Sequence, residues 1–262
     1  MRIKFVQKII DRIRCKKQKR IQGTNNTVII KSNNKTIKLN KKINGSIVGD
    51  NNTIIFHSNN LNEFPSGLYI AINGNENYIE IHEPNFINSY IEFRNDSSKF
   101  ILNKTCKPVI GASFFLGEGG IIEIEKDCEL GNSALWVVVN GDYKNKHKLF
   151  IGEGTHIAKD AIIRTSDGEC LLDFETNKPI SEPKDVYIGK HCWITSRCTI
   201  LKGTHLPNNT VVGANSLVNK KFTQENTLIA GSPAVVIKER VKWNENSYYE
   251  NMQLYLNNQN KE

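Results

Sequence analysis

Beyond residue 120, aliphatic side chains return every six positions. Ile188, Ile194, Ile200, Leu206, Val212 and Val218 form one unbroken register, Ile151, Ile157 and Ile163 a second, and Ile124 and Leu130, with Trp136 next in step, a third. The fourth residue after each is small: Cys192, Cys198, Thr204, Thr210 and Ser216 in the long register, Thr155 and Ala161 in the middle one, Cys128 and Ala134 in the first. A step of six matches neither a helix nor a simple strand alternation. It predicts triangular coils of three short strands, with the large aliphatic side chain filling the interior and the small one letting the chain turn the corner. Glycines 131, 152, 189 and 213 follow directly after aliphatic positions, as such tight geometry requires.

The N-terminal part repeats at a longer interval. Gly23-Thr24-Asn25-Asn26-Thr27-Val28-Ile29-Ile30 returns as Gly49-Asp50-Asn51-Asn52-Thr53-Ile54-Ile55-Phe56 and as Gly74-Asn75-Glu76-Asn77-Tyr78-Ile79-Glu80-Ile81, spaced 26 and 25 residues apart. Each copy is a Gly/Asn turn, where positive φ is cheap, followed by a β-branched run suited to a strand. Recurring turn-and-strand units predict stacked coils of a solenoid. The predicted organisation is a helix over 1–20, irregular Asn-rich coils over 21–120, hexapeptide coils over 121–240, and a short helix or tail over 241–262. The run from Arg164 to Tyr187 breaks the register and is too long for a corner; long loops leaving a rigid scaffold are where function concentrates.

Charge alters the picture in one place. Of the net +8, residues 1–20 carry all of it, with nine Lys or Arg against one Asp, and the remaining residues balance 26 against 26. The body is therefore not a nucleic-acid-binding surface. In the first segment Ile3, Val6, Ile10 and Ile13 fall at helical spacing among basic residues, which reads equally as a helix lying on an anionic membrane face or as one packed on a neighbour. No run of about 20 apolar residues and no signal-type apolar core is present, so a cytoplasmic location is expected. The six cysteines show neither CxxC pairs nor zinc-type spacing with histidines, so no metal site and no disulfide framework is expected.

Residues 120–240 resemble the hexapeptide-repeat acyltransferases, and especially their sugar O-acetyltransferase branch. The resemblance implies an all-β fold, a left-handed parallel β-helix, as an exception to the right-handed crossover rule. It also implies a homotrimer with sites between subunits, acetyl-CoA as donor and a saccharide acceptor. The pattern Val212-Gly213-Ala214-Asn215-Ser216-Leu217-Val218-Asn219-Lys220 resembles the coil lining the pantetheine arm, which implies Ser196, Ala214, Asn219 and Lys220 as cofactor contacts. Ile229-Ala230-Gly231-Ser232-Pro233-Ala234 resembles the final cofactor loop, adding Gly231, Pro233 and, at the phosphates, Lys238. Val235 stands where the family often has arginine.

Acyl transfer to a hydroxyl needs a base and donors for the developing oxyanion. The family supplies the base as a histidine 24 residues before a tryptophan; counting back from Trp193 reaches Glu169, in Ser166-Asp167-Gly168-Glu169. Three readings stand: Glu169 is itself the base, its pKa raised by burial beside Trp193; the site is impaired; or another histidine, among His156, His191 and His205, does the work. Asp167 falls in the small-residue column, which marks it as functional, and Ser166 and Asn140 are candidate acceptor contacts. The expected function is acetyl transfer to a capsular or lipopolysaccharide O-antigen sugar. The alternatives are acetylation of a small or nucleotide-linked amino sugar, and a non-catalytic scaffold.

Overall fold

The computed structural model describes residues 21–33, 35–39, 43–131, 134–141 and 145–259. The basic helix expected over 1–20 lies outside them. Among the described residues, three ladders of parallel strands form the faces of a three-sided β-helix. The first face runs from Ile21–Gln22 through Gly45–Val48, Leu68–Asn73, Ser89–Phe93, Ser113–Leu116, Trp136–Val139, Ile162–Arg164 and Thr199–Ile200 to Leu217–Val218. The second runs from Thr27–Lys31 to His205–Leu206, with Thr36–Lys38 added antiparallel at its start. The third pairs Phe86–Ile87 with Val109–Ile110, then stacks Glu129–Leu130, His156–Ile157, Trp193–Ile194, Val211–Val212 and Thr227–Gly231. From Leu68 onward each coil visits the first, second and third faces in that order, so a first corner joins faces one and two, a second joins two and three, and a third closes the coil.

The six-residue period is the length of one face. Ile200 pairs with Val218, three hexapeptides later, and the inward column Leu102, Ile124, Ile151, Ile188 and Leu206 stays in register through five coils. Every member of that column is buried. Each such side chain contributes about 1.5–3 kcal/mol on burial. The small column does more than clear space at the corner. Thr155 Oγ1 donates to Gly189 O at 2.8 Å, Thr204 Oγ1 to Val218 O at 3.0 Å, and the Cys192 thiol to Pro207 O at 3.2 Å. Gly189 is needed where it stands: a Cβ there would lie 2.7 Å from the backbone nitrogen of Asn208 in the following coil.

One register is out of phase with its expectation. Ala134 is exposed at φ 60° and Leu135 takes the buried corner position, so Val137 and Val139 point inward and Trp136 points out, 5.4 Å from the ring of Phe115. The corner after Gly131 holds one residue more than a hexapeptide allows, and the side-chain alternation flips.

The 26- and 25-residue repeats also stack coil on coil, Thr27 against Thr53 against Tyr78. Their asparagines form a ladder through the first corner. Asn26 Oδ1 accepts from the Asn52 amide, Asn52 Oδ1 from Asn77 N, and Asn77 Oδ1 from Ser98 N, at 2.9–3.0 Å, while Asn52 Nδ2 donates to Gly74 O at 2.8 Å. Asn52 and Asn77 are fully buried, so the ladder satisfies backbone groups that no strand pairs. At the C-terminal end Thr227–Gly231 pairs antiparallel with Ala234–Glu239, and helix α1 spans Tyr248–Gln259. Ser247 and Glu250 cap it reciprocally, the Ser247 amide donating to Glu250 Oε2 at 2.7 Å and the Glu250 amide to Ser247 Oγ at 3.2 Å.

Candidate active site

The long excursion leaves at the first corner. Ile162–Arg164 ends on face one, Val186–Ile188 begins on face two, and residues 165–185 bridge them, so Ile163 pairs with Ile200 across 37 positions. Thr165 closes the corner beneath. Its hydroxyl accepts from Asn140 N at 3.0 Å and donates to Asn140 O at 3.2 Å. Asn140 Nδ2 then donates to Ser166 Oγ at 2.8 Å, which brings together the two residues expected to contact the acceptor. The side chain of Asn140 occupies space left by Gly117, where a Cβ would lie 2.3 Å from Asn140 Oδ1.

Asp167 is not in an inward column. Thr165 and Ser166 take the buried positions, and the Asp167 carboxylate is 39% exposed, where Lys202 Nζ of the next coil donates to Oδ2 at 2.5 Å. The Asp167 carbonyl accepts from Arg164 Nη2 at 2.6 Å. Asp167 therefore fixes the start of the excursion to the coil below. Glu169 is exposed and, among the described residues, makes no hydrogen bond or ion pair. Trp193 lies on the third face, between His156 and Val211, so within one chain it does not bury Glu169 as the sequence suggested.

Two of the three histidines named as alternative bases, His156 and His191, form a cluster with Trp243. Trp243, from the segment after the final hairpin, donates its indole N–H to His191 O at 2.7 Å and stacks on the His191 ring at 4.4 Å. It meets His156 edge-on at 5.1 Å and Trp193 at 5.8 Å. The third, His205, stacks on Tyr187, which stacks on Phe150, along the second face. His156 lies on the third face and His191 at the second corner, whereas His205 lies on the second face beside Lys221. A histidine that the sequence did not single out does lie on this edge: His147 Nδ1 is 3.1 Å from Asp185 Oδ1 at the excursion's end, with its side chain 16% exposed. Its only sequence signal is its place directly before the Lys148–Ile151 strand.

The expected cofactor residues divide between two corners. Ser196, Ala214 and Gly231 stack at the third corner, where Gly231 N donates to Ser216 Oγ at 3.1 Å, and Pro233 follows in the hairpin turn. Asn219 and Lys220 lie at the first corner, and Lys238 sits on the outer hairpin strand opposite Leu228. Lys220, Lys221, Thr223, Gln224 and Val236 line a shallow pocket, with Lys220 Nζ 5.3 Å from the Phe222 ring. Face one separates the two corners. The first corner thus carries the acceptor pair, Asp167, Glu169, His147 and two cationic side chains, and the third carries the small, close-packed backbone.

No family model matches the chain. A polysialic acid O-acetyltransferase of Neisseria meningitidis is 30% identical over 136 residues, which cover 51% of this chain and 63% of that protein. The chain spans between 31% and 63% of the length of the curated relatives it matches. Among solved structures, the polysialic acid O-acetyltransferase OatWY superposes with a TM-score of 0.55 at 26% identity, covering 90% of this chain and 97% of that one. The polysialic-acid-specific acetyltransferase NeuO gives a TM-score of 0.59 at 22% identity over 87% and 88%. The chain is related to the hexapeptide-repeat acetyltransferases and has their fold, the left-handed parallel β-helix.

Proposed function

We propose that this chain moves an acetyl group from acetyl-CoA to a hydroxyl of a cell-surface polysaccharide, a capsule or lipopolysaccharide O-antigen. What carries the reading is its likeness, along nearly the whole solenoid, to OatWY, a polysialic acid O-acetyltransferase. A base removes the acceptor's hydroxyl proton, the oxygen attacks the thioester carbonyl, and collapse of the tetrahedral intermediate breaks the carbon–sulfur bond, leaving an ester and free CoA thiol. Glu169 and His147 are the groups at the first corner that can hold that proton. Asn140 and Ser166 present a rigid amide–hydroxyl pair to the acceptor. The resident group to be bound is a co-substrate; Lys220 and Lys221 suit its phosphates as point charges, and Ser196 and Ala214 suit its pantetheine arm.

The assembly we propose is a homotrimer, in which the first corner of one subunit meets the third corner of the next. Two features support it. The cofactor residues fall on both corners of face one, and the excursion presents Leu171, Leu172, Ile180 and a 98% exposed Phe174 beside the first. Apolar surface of this kind marks an interface. The charge on residues 1–20 supports work at the inner face of a bacterial membrane. The test is product analysis after incubation with acetyl-CoA and purified capsular or O-antigen polysaccharide. Alkali-labile acetyl ester on the polymer is expected; acetate found only as an amide, or only on monomeric sugar, overturns the reading.

A further inference from the structure

On the third face, three coils place a thiol, a carboxylate and an imidazole together. Glu129 and His156 are lateral partners on adjacent strands, and Cys106 stands one coil earlier, its amide donating to Cys128 O at 3.2 Å. His156 Nδ1 is 3.5 Å from Glu129 Oε2, and one donor atom from each of the three residues lies within 4.8 Å of the others. We propose that Cys106, Glu129 and His156 form a zinc site with an open fourth position.

The donor set is the first support. Sulfur, nitrogen and carboxylate oxygen from rigid scaffolding suit Zn²⁺, whose bonds of about 2.0–2.3 Å set tetrahedral donors about 3.3–3.8 Å apart. His156 and Glu129 already have that spacing, and Cys106, which is exposed, has room to close the remainder. The surroundings of His156 are the second. Its other ring nitrogen, Nε2, lies 3.3 Å from Glu245 Oε1, the carboxylate–histidine arrangement that fixes a metal-bound imidazole's tautomer. Trp243 packs edge-on against the same ring, whose side chain is only 12% exposed. The imidazole is therefore held in place with Nδ1 turned toward Glu129.

The cluster of His57, Glu80 and His82 on the second face is a weaker metal candidate. Its imidazoles stack parallel, 4.3 Å apart at 3°, so their lone pairs run side by side instead of converging. One group opposes the proposed site: Lys107 Nζ donates to Glu129 Oε2 at 2.5 Å and must release that oxygen or share the carboxylate.

The test is titration of the full metal-free chain with Co²⁺, followed by displacement with Zn²⁺. The expected result is one equivalent bound with tetrahedral cobalt absorption and a near-ultraviolet thiolate-to-cobalt band. Cys106→Ser should abolish that band while Cys170→Ser, Cys15→Ser and the pair His57→Ala with His82→Ala leave it. Glu245→Gln should weaken Zn²⁺ binding roughly 10- to 100-fold, the effect of losing the carboxylate that orients the imidazole. Lys107→Ala should tighten it. Thermal unfolding of each metal-free variant, expected to match the parent, separates lost ligands from lost fold. Absence of stoichiometric binding, or a thiolate band that survives in Cys106→Ser, overturns the assignment.

Discussion

Lys202 and Asp167 stand 35 residues apart in the chain and 2.5 Å apart in space, and between them they fasten the excursion to the coil beneath it. Both side chains are partly exposed, Lys202 at 21% and Asp167 at 39%, so the pair adds little to global stability. Lys202→Ala should leave the melting temperature within a few degrees of the parent, since about 0–1 kcal/mol is at stake. Amide hydrogen exchange over 166–185 should nevertheless quicken. Unchanged protection there would show that the loop is held by other contacts.

Asn52 should respond differently. Its side chain is fully buried, donates to Gly74 O and accepts from the Asn77 amide. Asn52→Leu leaves both partners buried without replacement, a cost of about 1–3 kcal/mol for each unsatisfied group. Urea denaturation should show a loss of that order, whereas Asn60→Ala, at an exposed position without positive φ, should lose much less. Equal losses would contradict the ladder's role.

The buried thiols predict an alkaline limit. Burial pushes Cys128 up to about 12 and Cys192 up to about 11. An unfolded thiol ionises near 8.5, so the protonated, buried form favours the native state fully below that pH. That contribution is lost as pH rises from about 8.5 through 11 and 12. Stability should therefore fall across this window, and less steeply in Cys128→Ala once its own cavity cost is subtracted. In the native protein at pH 8, a thiol reagent should modify the exposed Cys170 and Cys106 well before Cys128, Cys192 and Cys198, which stay protected until unfolding.

Why some features were legible in the sequence follows from the coil. An inward column repeats its chemistry every coil, so Ile151, Ile188 and Leu206 announce the architecture without any knowledge of the coil's length. Corner insertions carry no such repetition. The extra residue after Gly131 turned Trp136 outward, and nothing local in the chain signals that shift. Lateral contacts are equally silent: Asp167 with Lys202, His147 with Asp185, and Cys106 with Glu129 and His156 are separated by whole coils of uneven length. Spacing rules built on CxxC or on helical turns cannot see ligands gathered 23 and 27 residues apart. The grouping of His156 and His191 around Trp243 depends on a C-terminal segment folding back over the third face, which no periodicity encodes. Asn140 and Ser166 were each singled out through family pattern as acceptor contacts, but their hydrogen bond to each other, across 26 residues, was not legible in the chain.

Acetyl transfer at the first corner is tested by the release of CoA thiol from acetyl-CoA in the presence and absence of polysaccharide. The parent chain should release thiol only when the acceptor is present. Glu169→Ala and His147→Ala, measured beside it, show which group takes the proton: the variant that loses about 10²-fold or more in rate while still binding acetyl-CoA lacks the base. Thiol release that ignores the acceptor, or none from the parent chain with any capsular or O-antigen polysaccharide while acetyl-CoA binds, would contradict the account.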